Sequence, residues 1–392
     1  MKVKVLGYHH HSTFTIDENG RYKIIKLHGV FLEELSMHYD QLILFLYQNS
    51  DKNSGYEDYV IKRENIKIVS LGIKKNLIYR TIFGHKYANL IQRVNIDKII
   101  VRSPTPLMPF IVNVLNNKTI PMVVGDYLED IQSVTGSVLK RLIVKIWIHI
   151  FQNYYLKSFS KLQLVLFNND YLRLKFKNYC NSTELISTSL VSKDYIINAK
   201  DYKKTEKKYL KIIYVGRVDL SKGLIELVDA AKLIEDNKLD FFIEIIGWDD
   251  SNGERTTKLI KEKIKTLQLE KKIIMTGKIS HGNELMEKYR DADIFYIGSK
   301  YSEGFPRVIW EALSTGCSVI CSKVGGVPLY VSENEVYFLN EVSGEEIFRI
   351  IMKIKSDPQL VQKKILKGIE IMKNFTLENS IKKIVNCIEK SS

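Results

Sequence analysis

Two basic side chains and a glycine follow a strand-like run in the second half of the chain. The segment 214–223 reads Tyr-Val-Gly-Arg-Val-Asp-Leu-Ser-Lys-Gly and contains Gly216, Arg217 and Lys222. A glycine at the end of a strand lets a ligand approach the backbone. The helix expected at 224–234 adds unpaired N–H groups and the positive end of its dipole. The segment therefore predicts a diphosphate site for a reaction that releases a diphosphate, although the same pattern is also typical of a basic surface turn.

Two glutamates separated by seven residues open the next candidate site. Glu303 precedes a helix predicted over 305–315, with Pro306 in the first turn, where its missing N–H costs nothing. Glu311 lies about two turns further on, among apolar neighbours, and a buried carboxylate requires polar partners. Sugar and ribose hydroxyls would supply them. The alternative is a helix-capping acid followed by a solvated helix glutamate.

Taken together, these motifs resemble the signature of family-4 retaining glycosyltransferases, which belong to the glycosyl transferases group 1 and have the GT-B fold. The likeness runs from about residue 210 to residue 330 and includes Ile-Ile-Gly at 245–247, Thr-Gly-Lys at 276–278 and Val-Gly-Gly-Val-Pro at 324–328. The resemblance implies that Arg217 and Lys222 hold the diphosphate of a nucleotide-sugar donor. It also implies that Glu303 holds hydroxyls of the donor sugar and that Glu311 binds the ribose.

The resemblance extends more weakly into the first half. His28-Gly29-Val30-Phe31 resembles a flexible glycine loop and helix start that face the diphosphate, and Asp126 ends a strand where many relatives place a histidine near the sugar. An acid at that place is also typical of a helix cap or a turn. The catalytic residues implied are Glu303, Arg217, Lys222 and Asp126, and the donor-binding residues are Gly29, Gly216, Gly277, Lys278, Ile279, Gly304, Phe305, Pro306, Val308 and Glu311.

Short apolar runs alternate with helical stretches in both halves, which predicts an α/β protein with two doubly wound parallel sheets. At 392 residues the chain exceeds the size of a single hydrophobic core. We expect a Rossmann-like acceptor-binding domain over 1–190, a linker over 191–208 and a Rossmann-like nucleotide-sugar-binding domain over 209–374. A final helix in 375–392 would cross back to the first domain. The expected GT-B architecture places the two domains on either side of a central cleft, the usual position of a ligand.

The net charge of +14 is concentrated in the first half, where residues 1–190 carry 25 Lys and Arg against 15 Asp and Glu. Such a surface can face nucleic acid, an anionic membrane or a phosphorylated acceptor. The sequence contains no nucleic-acid-binding signature, so the last two are the expected partners. Four scattered cysteines, no signal peptide and no spanning apolar run predict a cytoplasmic location, peripheral at the inner face of the membrane.

Three other sequence patterns each allow more than one interpretation. His9-His10-His11 is predicted to form a loop after the first strand, without further ligands for a metal. Asp291-Ala292-Asp293 matches a D-x-D metal pattern, but a turn between helix and strand is the preferred interpretation. The stretch 137–157 is apolar almost all round, which favours a buried core helix, whereas its interspersed Lys and Arg also suit a helix in a membrane interface.

The sequence as a whole predicts a retaining, metal-independent glycosyltransferase without a cofactor. Its donor would be a nucleotide-sugar and its acceptor a glycan or lipid-linked glycan of a surface polysaccharide. Two alternatives stay open: a nucleotide-sugar epimerase of the same fold, and a non-catalytic partner subunit that retains the fold.

Overall fold

The structure, a computed structural model, describes residues 3–50, 57–126, 138–186, 189–200, 202, 208–249, 251, 253–301 and 305–391. The chain divides into two compact units. The first unit comprises Met1–Thr188 together with Leu377–Ser392, and the second comprises Ser189–Thr376.

A mostly parallel sheet forms the centre of the first unit. Its parallel strands are arranged in the order β5-β3-β1-β6-β7-β8-β9, and two short strands, β2 and β4, add antiparallel to the far end of β1. The strands are β1 (Val5–Ile16), β2 (Tyr22–Ile24), β3 (Gln41–Gln48), β4 (Tyr59–Val60), β5 (Ile66–Ile73), β6 (Lys98–Ser103), β7 (Thr119–Val123), β8 (Val165–Phe167) and β9 (Thr183–Leu185).

Helices cover the first sheet because its central strands are apolar on both faces, as β3 illustrates with six consecutive buried residues. The helices are α1 (Lys26–Ser36), α2 (Leu77–Ile82), α3 (Gly84–Gln92), α4 (Met108–Leu115), α5 (Val138–Phe159), α6 (Asp170–Phe176) and, from the end of the chain, the helix Leu377–Lys390. This last helix begins directly after Thr376 and packs against α1.

The second unit contains a six-stranded parallel sheet in the order β12-β11-β10-β13-β14-β15, which is the Rossmann order 3-2-1-4-5-6. Its strands are β10 (Leu210–Val215), β11 (Phe241–Ile246), β12 (Ile273–Gly277), β13 (Ile294–Ile297), β14 (Ser318–Ser322) and β15 (Val336–Leu339). Its helices are α7 (Leu224–Asp236), α8 (Arg255–Thr266), α9 (Asn283–Arg290), α10 (Arg307–Ser314), α11 (Gly344–Ser356) and α12 (Pro358–Met372), which makes Leu377–Lys390 helix α13.

The side chains of each strand in the second sheet alternate between two apolar layers. Ile212 and Tyr214 of β10 belong to the layer formed with α7, α8, α11 and α12. Ile213 and Val215 belong to the layer formed with α9 and α10. The prediction of two Rossmann-like sheets is therefore confirmed, and in both sheets the carboxyl ends of the parallel strands lie at one edge, where loops are free to carry functional side chains.

Several local predictions were wrong. His9, His10 and His11 lie inside β1 and not in a loop after it, because β1 runs on to Ile16 and pairs beyond His9 with β3 through a bulge. Helix α10 begins at Arg307, so that Pro306 is its extended N-cap residue and not a member of its first turn.

Helix α5 has two different faces, so the expectation of a fully buried core helix was wrong. Ile148, Phe151, Tyr155 and Phe159 are buried in the first unit. On the opposite face, apolar side chains recur every four residues and are 44–66% exposed: Leu142, Ile146, Ile150 and Tyr154. Among the residues that the structure describes, no helix has both the length and the apolar character needed to cross a membrane.

Candidate functional site

The predicted phosphate loop lies where the strand order of the second sheet reverses. Strand β10 pairs with β11 on one side and with β13 on the other, so the carboxyl ends of β10 and β13 form the topological switch point at which open α/β sheets bind ligands. The loop after β10 carries Gly216 and Arg217, and Lys222 ends a short 3-10 turn before α7. The Nζ atom of Lys222 lies 3.5 Å from Oγ of Ser299, which follows β13. Lys222 thus connects the two strands that flank the switch point.

Gly223 allows the backbone to turn from this loop into α7. It has a φ of 71°, in the left-handed region, and a Cβ there would meet the hydroxyl of Tyr296 at 2.5 Å and the carbonyl oxygen of Gly298 at 2.6 Å. The Tyr296 hydroxyl donates a hydrogen bond of 2.9 Å to the Gly223 carbonyl. A glycine is required here both for its backbone conformation and for the close approach of β13.

The charges around Lys222 favour an anionic ligand. Arg217 is exposed and Lys222 is half-buried. Asp219 uses its carboxylate to cap the 3-10 turn, accepting from the Ser221 backbone N–H at 2.7 Å. Burial alone would raise the pKa of Asp219, but these hydrogen bonds and the charges of Arg217 and Lys222 lower it below its usual value. The two cations therefore act on the same small volume at the carboxyl edge.

Glu311 is buried inside α10, as its apolar neighbours predicted, but the protein itself supplies its partners. One carboxylate oxygen accepts a hydrogen bond of 3.0 Å from the Tyr289 hydroxyl, and the other lies 3.2 Å from Nδ1 of His281. Burial and the charge of Glu311 raise the pKa of Tyr289, which stays a neutral donor. The sequence analysis missed His281 and Tyr289. A buried glutamate needs hydrogen-bond donors, and this need is the sequence signal that points to His281 in the preceding loop and Tyr289 in the preceding helix.

The segment before α10 is described only in part. Glu303 and Gly304 lie outside the described residues. Phe305 stacks on Trp310 with ring centroids 4.2 Å apart. Pro306 and Val308, at the start of α10, are half-buried. The stacked rings fix the path of the backbone into the helix, and the assignment of these residues to the donor stays a prediction.

The third predicted segment ends β12 at the same edge of the sheet. Gly277 accepts a hydrogen bond from the Gly247 backbone N–H at 2.9 Å, and Lys278 and Ile279 follow it. The Nζ atom of Lys278 lies 5.7 Å from the ring centroid of Trp248, which is 39% exposed. Trp248 was not identified from the sequence, although an apolar ring directly after a buried strand and a glycine is an unusual feature of a loop.

In the first unit, the structure shows a different environment for each predicted residue. Gly29 lies within α1, not in a flexible loop, and a Cβ there would overlap the ring of Tyr59 at 2.2 Å. Asp126 is buried beyond the end of β7, where Oδ2 forms an ion pair of 2.5 Å with Lys175 and Oδ1 accepts from Gln152 at 3.3 Å. The close approach of the Tyr59 ring explains why position 29 is a glycine. The roles of Gly29 in donor binding and of Asp126 in catalysis stay predictions.

The D-x-D segment forms part of an ionic network and a strand connection. Asp291 pairs with Nζ of Lys211 at 2.6 Å, and Asp293 accepts from the Lys211 backbone N–H at 2.9 Å. Within the described part of the chain, no group of three or more His, Cys, Asp or Glu side chains is arranged to hold a metal ion.

Comparison with known proteins relates the second unit to a family. A sequence profile of the glycosyl transferases group 1 matches residues 197–370, which lie within the second unit and make up less than half of the chain. The chain is similar to this family over those residues. The D-inositol 3-phosphate glycosyltransferase of Corynebacterium glutamicum (strain R) is 31% identical over 129 residues, which cover 33% of this chain and 30% of the relative. The UDP-Gal:alpha-D-GlcNAc-diphosphoundecaprenol alpha-1,3-galactosyltransferase of Escherichia coli is 28% identical over 168 residues, which cover 41% of each chain. The match therefore spans less than half the length of either relative.

The resemblance to solved structures extends over nearly the whole chain. A glycosyltransferase from Rickettsia africae ESF-5 superposes with a TM-score of 0.73 at 17% identity, covering 99% of this chain and 98% of that one. HepE of Anabaena in complex with UDP-glucose superposes with a TM-score of 0.71 at 15% identity, covering 99% of this chain and all of the other. At these identities the likeness concerns the fold, and it confirms the prediction of a GT-B fold made of two Rossmann-like domains.

Proposed function

We propose that the protein is a retaining glycosyltransferase that transfers a sugar from a nucleotide-diphosphate-sugar to a hydroxyl group. One observation carries the proposal: Lys222 and Arg217 lie at the switch point of a Rossmann-ordered sheet whose sequence matches the profile of the glycosyl transferases group 1. A cationic switch point favours the diphosphate of a nucleotide. The structure of Anabaena HepE with UDP-glucose supports a donor of this class.

The chemical step follows from the position of the two cations. The bond between the anomeric carbon and the diphosphate oxygen breaks as the acceptor oxygen attacks from the same side, and the leaving diphosphate takes the acceptor's proton. Lys222 and Arg217 stabilise the negative charge that develops on the diphosphate, and fixed positive groups do so without reorganisation during the reaction. With these cations in place, we propose that the reaction requires no divalent metal and no organic cofactor.

Glu303 and Glu311 would hold the donor in register with these cations. We propose that Glu303 binds hydroxyl groups of the sugar close to the reacting carbon. Glu311 would accept from the ribose hydroxyls through the lone pairs that Tyr289 and His281 leave available, since each carboxylate oxygen can accept more than one hydrogen bond. The rigid partners of Glu311 would preorganise it for that contact.

We propose a glycan or lipid-linked glycan as the acceptor, in the biosynthesis of a surface polysaccharide. The basic character of residues 1–190 supports an anionic acceptor. The E. coli relative is named for an acceptor that carries a diphosphate and a lipid, and the C. glutamicum relative for a phosphorylated one.

The exposed face of α5 supports a location at an anionic membrane surface. Its apolar row of Leu142, Ile146, Ile150 and Tyr154 has exposed Lys145 beside it. Apolar side chains flanked by lysine are the pattern of a helix that lies in a membrane interface. We expect Ile150→Asp to abolish sedimentation of the chain with vesicles that contain phosphatidylglycerol, and Leu259→Asp, at an exposed position on α8, to leave sedimentation unchanged. Equal sedimentation of both variants would remove α5 from membrane binding.

A transfer assay tests the proposed activity. The full chain is incubated with a panel of nucleotide-sugars, with and without lipid-linked glycan acceptors, and products are followed by NMR. We expect a new glycosidic bond, in the configuration of the donor, only when an acceptor is present. A sugar-nucleotide altered without acceptor would indicate the epimerase, and an inverted product would contradict the retaining mechanism.

A further inference from the structure

The first sheet has a switch point of its own, and cationic side chains surround it. In the order β5-β3-β1-β6-β7-β8-β9 the direction of strand addition reverses between β1 and β6. His9 of β1 is in register with Val101 of β6, the last pair between these strands, so that His10 and Arg102 follow next to each other where the pairing of β1 with β6 ends. A parallel sheet with helices on both faces binds ligands at such a position.

Arg80 reaches the same edge from α2, which follows β5. Its side chain is 8% exposed, and its guanidinium carbon lies 5.4 Å from the ring centroid of Tyr47, which in turn lies 6.3 Å from the ring of His9. Two buried nitrogens of Arg80, Nε and Nη1, and the buried Nε of Arg102 have no hydrogen-bond acceptor among the residues that the structure describes. Unsatisfied N–H groups of a buried cation are costly, and an acceptor of negative charge would satisfy them.

The positive charge at this edge exceeds the negative charge around it. Lys74, exposed at the end of β5, adds a third cation. In the described parts of the chain, neither arginine nor Lys74 forms an ion pair. The nearby carboxylate is that of Glu57, which accepts hydrogen bonds from Thr13 and Asn49 and acts electrostatically on Lys74. Asp126, beyond the end of neighbouring β7, is paired with Lys175. Among the described residues, the three cations therefore leave an excess of positive charge in a partly buried place, where electrostatic interactions are strong.

Histidine rings cluster beside these cations, and burial lowers the pKa of His10 and His11, so that both of these rings remain neutral. The ring centroids of His10 and His11 are 4.2 Å apart, and those of His10 and His28 are 4.3 Å apart. Burial, followed by the charges of Lys74, Arg102 and Arg80, lowers the pKa of His11 to about 3. Neutral imidazoles add N–H donors without adding charge. Because the charges of all three cations lower the pKa of His11, this ring lies at the centre of the cluster.

We propose that the carboxyl edge of β1 is a binding site for a phosphoryl group, held by Arg80, Arg102 and Lys74 around His10 and His11. Guanidinium groups bind phosphate oxygens through paired N–H donors, which lysine alone does not provide. The inference deepens the proposed function, on which it rests in one respect: the phosphoryl group would belong to the acceptor, as a phosphorylated glycan or a lipid diphosphate. Binding itself does not depend on any transfer reaction.

The test uses the histidine ring signals of the full chain in NMR. Inorganic phosphate, inorganic diphosphate and geranyl diphosphate are titrated separately, each in the presence of excess UDP. We expect all three probes to shift the signals of His10, His11 and His28 and to leave that of His281, in the second unit, unchanged. A geranyl diphosphate that binds more tightly than inorganic diphosphate would identify a lipid-linked source, and equal affinities would identify a soluble phosphate. Unchanged signals at the first three histidines would overturn the proposal.

Matched arginine variants assign the site to its residues. Arg80→Met and Arg102→Met should each weaken phosphate binding on the order of 10- to 100-fold, as expected for a lost charge-assisted hydrogen bond. Arg93→Met, at an exposed position that ends α3, should leave binding unchanged. Because the unsatisfied Nε and Nη1 groups of buried Arg80 cost the free protein stability, which offsets the contact with the Tyr47 ring, Arg80→Met should not lower the melting temperature. A lowered melting temperature with unchanged phosphate affinity would show that Arg80 is structural. UDP affinity, measured in parallel, reports on the second unit. It therefore separates loss of the phosphate site in the first unit from failure of the proposed nucleotide-sugar site.

Discussion

The buried histidines of β1 predict that the first unit loses stability as the pH falls below about 6.5. His9 is fully buried, with Nδ1 placed 2.9 Å from the Phe45 carbonyl oxygen and Nε2 placed 3.3 Å from the Thr105 hydroxyl. Nδ1 therefore donates to the carbonyl, and in the neutral ring Nε2 accepts from the Thr105 hydroxyl. Burial and, to a smaller extent, the charge of Arg80 lower the pKa of His9 to about 4, and the hydrogen bond to Phe45 offsets them only in part.

The sign and the magnitude follow from proton linkage. In the unfolded chain the pKa of a histidine is about 6.5, so between pH 6.5 and 4 the unfolded state binds more protons than the folded state. The stability that His9 contributes is therefore present above pH 6.5 and is lost as the pH falls towards 4. At pH 5 the loss is about 2 kcal/mol for His9 alone. His11 acts in the same direction, because its pKa is lowered to about 3.

The assay follows histidine ring signals of the full chain during urea titrations at pH 7, 6 and 5. The loss of the folded His11 signal reports unfolding of the first unit. We expect the free energy of unfolding to fall more steeply with pH in the wild type than in His9→Asn, which keeps an N–H for the Phe45 carbonyl but does not titrate. Equal pH dependence of the two proteins, or a His9 signal that titrates near pH 6.5 in the folded chain, would refute the reasoning.

Four further predictions concern the second unit. Lys222→Ala and Arg217→Ala should each weaken nucleoside diphosphate binding on the order of 10- to 100-fold in calorimetry, whereas Lys232→Ala, which removes a half-buried lysine of α7 that pairs with Asp236, should not. Unchanged affinity in both site variants would contradict the diphosphate assignment. Glu311→Ala should lower the free energy of unfolding by about 1–3 kcal/mol for each buried donor it leaves unpaired, with a smaller loss in Glu311→Gln, and equal stability of both variants with the wild type would mean that these contacts do not hold α10. Glu303→Gln should reduce turnover on the order of 10²–10³-fold without changing the melting temperature, and near-normal turnover would remove Glu303 from the mechanism. Transfer should persist in EDTA; activity abolished by chelation and restored by magnesium or manganese would identify a metal requirement.

The sequence was sufficient to predict the sheets because the strands are apolar and their ends are marked. Strands β3 and β13 are apolar runs closed by a polar residue or a glycine, and β10 and β11 are each interrupted by only one charged residue, Lys211 or Glu244. The short strands β2, β4 and β9 were missed because two or three residues carry no periodicity. The limits of β1 were wrong because three histidines interrupt its apolar pattern, and only the pairing with β3 shows that the strand continues.

The candidate site was predictable where one stretch of chain contains it and not where folding assembles it. Gly216, Arg217 and Lys222 fall within seven consecutive residues, and their types already imply an anion site. The donors to Glu311 come from His281 and Tyr289, which are 30 and 22 residues away from it in the sequence. Spacing along a single sequence contains no information on which distant donor meets a given carboxylate. The cations of the first unit were missed for the same reason, because Lys74 and Arg80 follow β5 whereas Arg102 lies near the end of β6.

The cations of the two candidate anion sites differ in their exposure to water. In the second unit, Arg217 is exposed and Lys222 half-buried, so water solvates the cations until a ligand replaces it, and the folded unit loses little stability by keeping them. In the first unit, Arg80 is buried and the histidines around it are neutral, so the positive charge is desolvated before any ligand binds. A desolvated guanidinium destabilises the free protein but attracts an anion more strongly than an exposed one does. The first unit should therefore bind its anion with less dependence on salt than the second, because screening by ions weakens exposed charges far more than buried ones.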